Sequence, residues 1–164
     1  MADRLIVGDG HAARSGRPSG RRATESAPPL ATDGNDWGEI VASLSSFQYW
    51  AEAHPDPALI EEYDDVRNGN YEEARLELEE WAAQGRYRVW SGFEILGVEI
   101  LDVVDDRTVV LMFEQGPGTI TEYAGDEVID ESTTSRQFEL GVFRKSPFDE
   151  RWRWLIRGFV VVAD

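Results

Sequence analysis

The hydrophobic period of this chain changes once. Between Asp36 and Gly85 apolar residues recur at helical intervals, and from Arg86 to Val162 they alternate as in strands. Helices first and strands after is the order of an α+β domain with an antiparallel sheet. The 164 residues are enough for one such domain with a core, and too few for two of ordinary size.

Asp36 and Glu39 have capping-box spacing, and Trp37, Ile40, Val41, Leu44, Phe47 and Ala51 follow at helical intervals up to His54-Pro55. Asp56-Pro57 opens a short second helix carrying Leu59, Ile60 and Tyr63. Asn68-Gly69 turns into a third, where Asn70 and Glu73 repeat the capping spacing. Tyr71, Ala74, Leu78, Trp81 and Ala82 form its buried stripe, and Gly85 is its C-terminal cap.

The strands then run Tyr87–Val104, broken at Ser91-Gly92, and Thr108–Glu114 after an Asp105-Asp106 turn. Gly116-Pro117-Gly118 reads as the next turn and Thr119–Tyr123 as its return strand, which Ala124-Gly125-Asp126 breaks. In Gln137–Lys145, Phe138, Leu140 and Val142 share a face. In Arg151–Val162, strict alternation puts Trp152, Trp154, Ile156, Val160 and Val162 on one face. Arg151, Arg153, Leu155, Arg157, Phe159 and Val161 fall on the other, and Gly158 marks the expected bend. Val109-Val110-Leu111-Met112-Phe113 is apolar on both faces, so one face can pack on helices while the other needs a cover, such as a second copy of the chain.

Residues 1–35 show no hydrophobic period and are rich in Gly, Pro, Ala, Ser and Arg, which predicts a disordered tail ahead of a domain spanning 36–164. Within it, Gly8-Asp9-Gly10-His11-Ala12-Ala13 matches G-x-G-x-x-A but lacks the strand and helix that a dinucleotide site requires. No apolar run approaches the roughly 18 residues of a membrane span, and nothing apolar follows Arg21-Arg22 as an export signal needs. The chain as written reads as cytoplasmic, with export requiring a different N-terminus.

The formal charge is −16, and with five Arg and four acidic residues before Asp36 the domain itself carries −17. Such a field repels phosphate backbones and anionic lipid, so neither nucleic acid nor a membrane surface is an expected partner; it is either a solvated surface that keeps the protein soluble or a surface that docks a basic protein. With no Cys, thiolate metal sites, disulfides and Cys nucleophiles are excluded. A calcium loop from Asp64 fails because Arg75 stands where the bidentate Glu belongs. No metal and no cofactor is expected.

Three helices followed by long antiparallel strands, ending in Arg151-Trp152-Arg153-Trp154-Leu155-Ile156, resembles the nuclear transport factor 2-like (SnoaL-like) superfamily over about Asp36–Val162. The resemblance implies three N-terminal helices packed in a strongly curved antiparallel sheet, a cone with a pocket at its open end. The superfamily holds isomerases, dehydratases, epoxide hydrolases and cyclases beside non-catalytic modules, so the fold does not fix the function. No catalytic constellation of those enzymes transfers: Tyr49, Tyr63, Asp64, Asp65 and Asp102 match no isomerase spacing, and His54 stands alone where a dehydratase has a pair.

The ligand-pocket candidates are therefore Tyr49, Trp50, His54, Tyr63, Trp90, Trp152 and Trp154. His54, in a His-Pro-Asp-Pro turn, is either a general base at the pocket mouth or a loop residue satisfying local hydrogen bonds. The tryptophans, with Trp81, are either pocket lining or core. Arg151, Arg153 and Arg157 are either a clamp for an anion or partners for carboxylates on neighbouring strands such as Glu139. The reading these features favour is a non-catalytic binding module, dimerising through its sheet and holding a small apolar ligand between the first helix and the Trp-bearing strand. The alternatives are a small acid–base enzyme in the same pocket, and an acidic antagonist of a basic partner.

Overall fold

A computed structural model describes residues 26–160, with side chains through Gly158. The dinucleotide-like segment 8–13 and residues 1–25 as a whole lie outside the described residues, as do Val161 and Val162. The fold is α+β, with helices α1 (Trp37–Ala53), α2 (Ile60–Tyr63) and α3 (Tyr71–Gln84) preceding strands β1 (Arg86–Gly92), β2 (Ile95–Asp105), β3 (Thr108–Gln115), β4 (Gly118–Ala124), β5 (Glu127–Thr134), β6 (Gln137–Lys145) and β7 (Trp152–Val160).

The helix boundaries follow their caps. Asp36 Oδ1 accepts from the Glu39 backbone N–H at 3.1 Å, and α1 stops at His54, ahead of Pro55. Asp56 caps a 3₁₀ turn, Pro57–Leu59, that leads into α2. At α3 the expected Asn70 cap is absent; instead Asn68 Oδ1 accepts from Asn70 N–H at 3.0 Å, an Asx turn one step earlier. Gly85 closes α3 at φ 65°, the left-handed conformation that favours glycine.

The strands form two antiparallel sheets rather than one, ordered β1-β4-β5 and β2-β3-β6-β7. Three strand paths cross from one sheet to the other, and they break at the same level: Phe93-Glu94, Gly116-Pro117 and Ser135-Arg136. Gly116-Pro117 is therefore a joint and not the hairpin turn its composition suggested. Phe93 N–H donates to Pro117 O and Gly116 N–H to Glu94 O across it, at 3.2 and 2.8 Å. The buried Phe93 ring fills the space over Gly118, where a Cβ would overlap it. β5 has no counterpart in the sequence reading, because Glu127–Thr134 is an exposed edge strand without an apolar face.

The core lies between α1, α2, α3 and the inner face of the four-stranded sheet. Ile40, Val41, Leu44, Phe47 and Ala51 of α1 meet Val109, Leu111 and Phe113 of β3, Phe143 of β6, and Trp152 and Trp154 of β7. In β6 the inward residues are Gln137, Glu139, Gly141 and Phe143, so Phe138, Leu140 and Val142 point outward. In β7 the pairing steps from Phe143↔Trp154 to Val142↔Ile156, leaving Leu155 as a bulge. That extra residue moves Arg157 onto the face of Trp154, its guanidinium 5.0 Å from the indole centroid. The bend expected at Gly158 is at Leu155, and the strict Trp face and Arg face do not survive it.

Part of the segment ahead of Asp36 is tied down. Pro28, Leu30 and Thr32 alternate inward. Ala31 N–H donates to Ser43 Oγ at 2.8 Å, and Ser43 Oγ donates to Pro29 O at 3.0 Å. Thr32 is fully buried, and its carbonyl accepts from Trp152 N–H at 2.8 Å. This strap places the start of the packed chain at about Pro28, ahead of Asp36.

Candidate functional site

Tyr49, Trp50 and His54 lie on the flank of α1 next to its core stripe, and Trp90 comes from β1. These four of the seven pocket candidates line one cleft of about 500 Å³, together with Ser46, Ala53, Val89, Ser26 and Pro28. The rings form two face-to-face stacks: Tyr49 on Trp90 at 4.4 Å and 13°, and Trp50 on His54 at 4.7 Å and 24°. Trp90 Nε1 donates to Glu52 at 2.6 Å, and His54 Nδ1 lies 2.9 Å from Trp50 O. The helix end and the strand thus hold the aromatic walls, and among the described residues no Lys or Arg enters the lining.

The other three candidates are core. Tyr63 is buried against Phe47 at 6.2 Å, and burial raises its phenol well above the ordinary range. Trp152 donates through Nε1 to Gly34 O at 2.9 Å and packs on Trp37 at 4.7 Å. Trp154 lies 4.3 Å from Phe143 and 5.6 Å from Phe113. The pocket expected between the first helix and the Trp-bearing last strand is therefore occupied by the protein's own side chains at Trp152 and Trp154, and the described cleft lies against β1.

Behind the cleft runs a buried polar network that the sequence pattern indicated only at Glu139. Gln115 Nε2 donates to Tyr49 Oη, and Gln137 Nε2 donates to Gln115 Oε1 and Glu139 Oε1, both at 3.1 Å. Arg157 Nε reaches Glu139 Oε2 at 2.7 Å, and Nη1 reaches Gln48 Oε1 at 2.7 Å. Gln48 continues to Glu52, which bonds Trp90 and lies 3.5 Å from Arg88. Gln115 and Glu139 are wholly buried, and their polar atoms are engaged with Gln137, Tyr49 and Arg157. Burial pushes the Tyr49 phenol up, with the Arg157 guanidinium partly offsetting it. Burial alone would lower the Arg157 value, but the Glu139 carboxylate holds it raised.

The three arginines do not form an anion clamp. Arg157 is inside, paired with Glu139. Arg151 and Arg153 face a second cleft of about 590 Å³ and pair with Glu62 at 3.0 Å and Asp149 at 2.7 Å. That cleft also holds Asp64 and Asp65, whose carboxyls are driven apart. Burial pushes Asp64 up to about 7. Asp65 is buried too, yet the Arg67 side chain and backbone N–H, at 2.6 to 2.9 Å, hold it below the usual carboxylate range.

The outer face of the four-stranded sheet is the third surface of note. Val110, Val142 and Ile156 form one row, and Met112 and Leu140 the next, with Phe138 beyond. Ile156 is 56% exposed and Leu140 36%. On the β2 side this patch is bounded by Glu99, Asp102 and Asp105, and past the Val110 row Arg144 of β6 pairs with Arg153 of β7.

No family model matches the chain, and no curated protein matches it. Among solved structures it is similar to the intermembrane-space region of the chloroplast protein ARC6, with TM-score 0.56 and 11% identity over 75% of this chain and 92% of that one. A Catenulispora acidiphila protein gives TM-score 0.47 at 14% identity, over 74% of this chain and 88% of that one. A Xanthomonas campestris protein, named as a candidate calcium/calmodulin-dependent protein kinase II association domain, gives 0.46 at 17% identity, over 85% and 98%. The ARC6 likeness is one of fold alone. Among the described residues, no helix is long and apolar enough to cross a membrane, and no three His, Asp or Glu gather as a metal site.

Proposed function

We propose that this chain is a non-catalytic binding module of the cone-shaped nuclear transport factor 2-like type, which dimerises through its four-stranded sheet and holds an apolar ligand in the α1–β1 cleft. The observation that carries the reading is the outward apolar face of β3, β6 and β7. β6 points Phe138, Leu140 and Val142 to the outside and spends its inward positions on Gln137 and Glu139. A strand built so gains by covering its outer face.

A second copy is a self-consistent cover. A twofold axis parallel to the strands lays the β2 edge of one copy over the β7 edge of the other. Asp105 then lies at the level of Arg144 and Arg153, and Arg144 carries no ion pair among the described residues. The interior supports a structural role over a catalytic one, because Tyr49, Glu139 and Arg157 satisfy one another.

Light scattering tests the dimer. The full chain is expected at twice 18.5 kDa, and Ile156→Asp or Leu140→Asp at once that mass with an unchanged circular dichroism spectrum. A monomeric wild-type chain at micromolar concentration would remove this reading of the outer face.

A further inference from the structure

Two pinned loops line the second cleft, and each presents an apolar side chain to solvent. The β6–β7 loop is tied on both flanks. Arg107 donates to Ser146 O at 3.3 Å and to Glu150 at 2.9 Å, and Arg153 holds both oxygens of Asp149 at 2.9 and 2.7 Å. Phe148 N–H donates to Ser146 Oγ at 3.2 Å. Glu150 takes φ 57°, and ion pairs to Arg107 and Lys145 hold it there. Yet the Phe148 side chain at the tip is 96% exposed. The other wall is the 65–68 turn. It hangs from β7 through Asp65 N–H to Trp154 O and is closed by Asn68 N–H to Asp65 O, both at 2.8 Å, and its Val66 is 69% exposed. Apolar side chains on loops already fixed cost little further ordering when a partner covers them.

The charge between the two loops is unbalanced. Arg67, Arg151 and Arg153 pair with Asp65, Glu62 and Asp149. The same lining carries Glu61 and Asp64, which form no ion pair among the described residues. Burial leaves Asp64 protonated up to about pH 7, and a cation brought in from outside would relieve that cost. We infer that this cleft docks a basic partner protein, taking an Arg or Lys side chain at Asp64 and Glu61 and the apolar neighbours of that residue on Phe148 and Val66. The formal charge of −16 steers such a partner toward the cleft and disfavours a second copy of this chain on the same surface.

The test titrates the nitrogen-15-labelled full-length protein with acetyl-Leu-Arg-Leu-amide, and with the same peptide carrying citrulline, the neutral isostere of arginine. The arginine peptide is expected to shift the amides of 64–67 and 148–149 and to bind about tenfold more tightly than the citrulline one. Phe148→Ala and Asp64→Asn are each expected to weaken it by about tenfold. Glu127→Gln, on the exposed strand β5, is expected to leave it unchanged. Equal affinity for both peptides, or indifference to Phe148→Ala and Asp64→Asn, overturns the inference. So does a loss on Glu127→Gln as large as that on Asp64→Asn, because binding then belongs to the overall field. Tighter peptide binding by the Arg21→Ala/Arg22→Ala variant would give the cleft to the chain's own N-terminal segment. A mass halved by Phe148→Ala in light scattering would give it to a second copy. Either result overturns the partner.

Discussion

Asp64 gives the sharpest quantitative expectation. It sits at the C-terminal end of α2, where Asp65 N–H donates to Trp154 O at 2.8 Å and draws the segment against β7. Burial moves its carboxyl from 3.8 to about 7, against the partial relief of an Asn68 hydrogen bond and the nearby Arg157 charge. In the folded protein the group keeps its proton up to about pH 7, whereas the unfolded chain loses it near 3.8. The unfolded state then binds fewer protons across that window. Stability falls as pH rises through it and levels off above pH 7. The slope is about 1.4 kcal/mol per pH unit, and the full shift corresponds to about 4 kcal/mol.

Asp64→Asn removes the titration while keeping the shape. Urea unfolding of both proteins at pH 5, 6, 7 and 8 should show the variant gaining on wild type by about 1 kcal/mol per unit, reaching about 2–4 kcal/mol at pH 8. Background carboxylates cancel in the difference. A difference that does not change with pH, or a variant less stable than wild type at pH 8, would refute the burial argument. Asp65→Asn is the control of opposite sign. Its carboxylate is held down by Arg67, so its contribution is present at neutral pH and lost as pH falls.

Three other outcomes follow from the packing. Arg157→Met strands the wholly buried Glu139 carboxylate and should cost about 3–5 kcal/mol in chemical denaturation, with Glu139→Gln/Arg157→Met recovering part of it. Gly141→Ala places a methyl 2.8 Å from both Phe143 and Trp154 and should destabilise by about 1–3 kcal/mol. Ser43→Ala removes both hydrogen bonds that tie the strap to α1, and should cost about 1–2 kcal/mol while speeding proteolysis between Ser26 and Asp33.

The helices were legible because their signals are local. Asp36, Asp56 and Gly85 each act within a few residues, and the caps form where the spacing put them. The sheet was legible only in part. Gly116-Pro117 has the composition of a turn, yet whether the chain reverses or passes into a second sheet depends on β1 and β5, far away in sequence. The phase of β7 was lost at Leu155, since a bulge leaves no mark in an alternating pattern. At β6 the pattern itself misleads, because its apolar face is the outer one and Glu139 is paid for by Arg157 from the next strand. Tyr49, Trp50, His54 and Trp90 were identifiable as aromatics worth placing, but only the packing of α1 on β1 separates them from Tyr63, Trp152 and Trp154.

The strap has a consequence for how the protein is made. Thr32 and Gly34 are held by the side chains of Arg151 and Trp152, which lie 118 to 119 residues later in the chain. At ribosomal speeds of about 5–20 residues per second, the segment waits roughly 6–24 s for its partners to emerge. Until β7 arrives, the strap has only its Ser43 hydrogen bonds to α1, and its Thr32–Gly34 end is without the partners that bury it. Closing that clasp is thus a late event of biosynthesis, and a truncated product ending before Arg151 would leave the ribosome with its first packed residues still undocked.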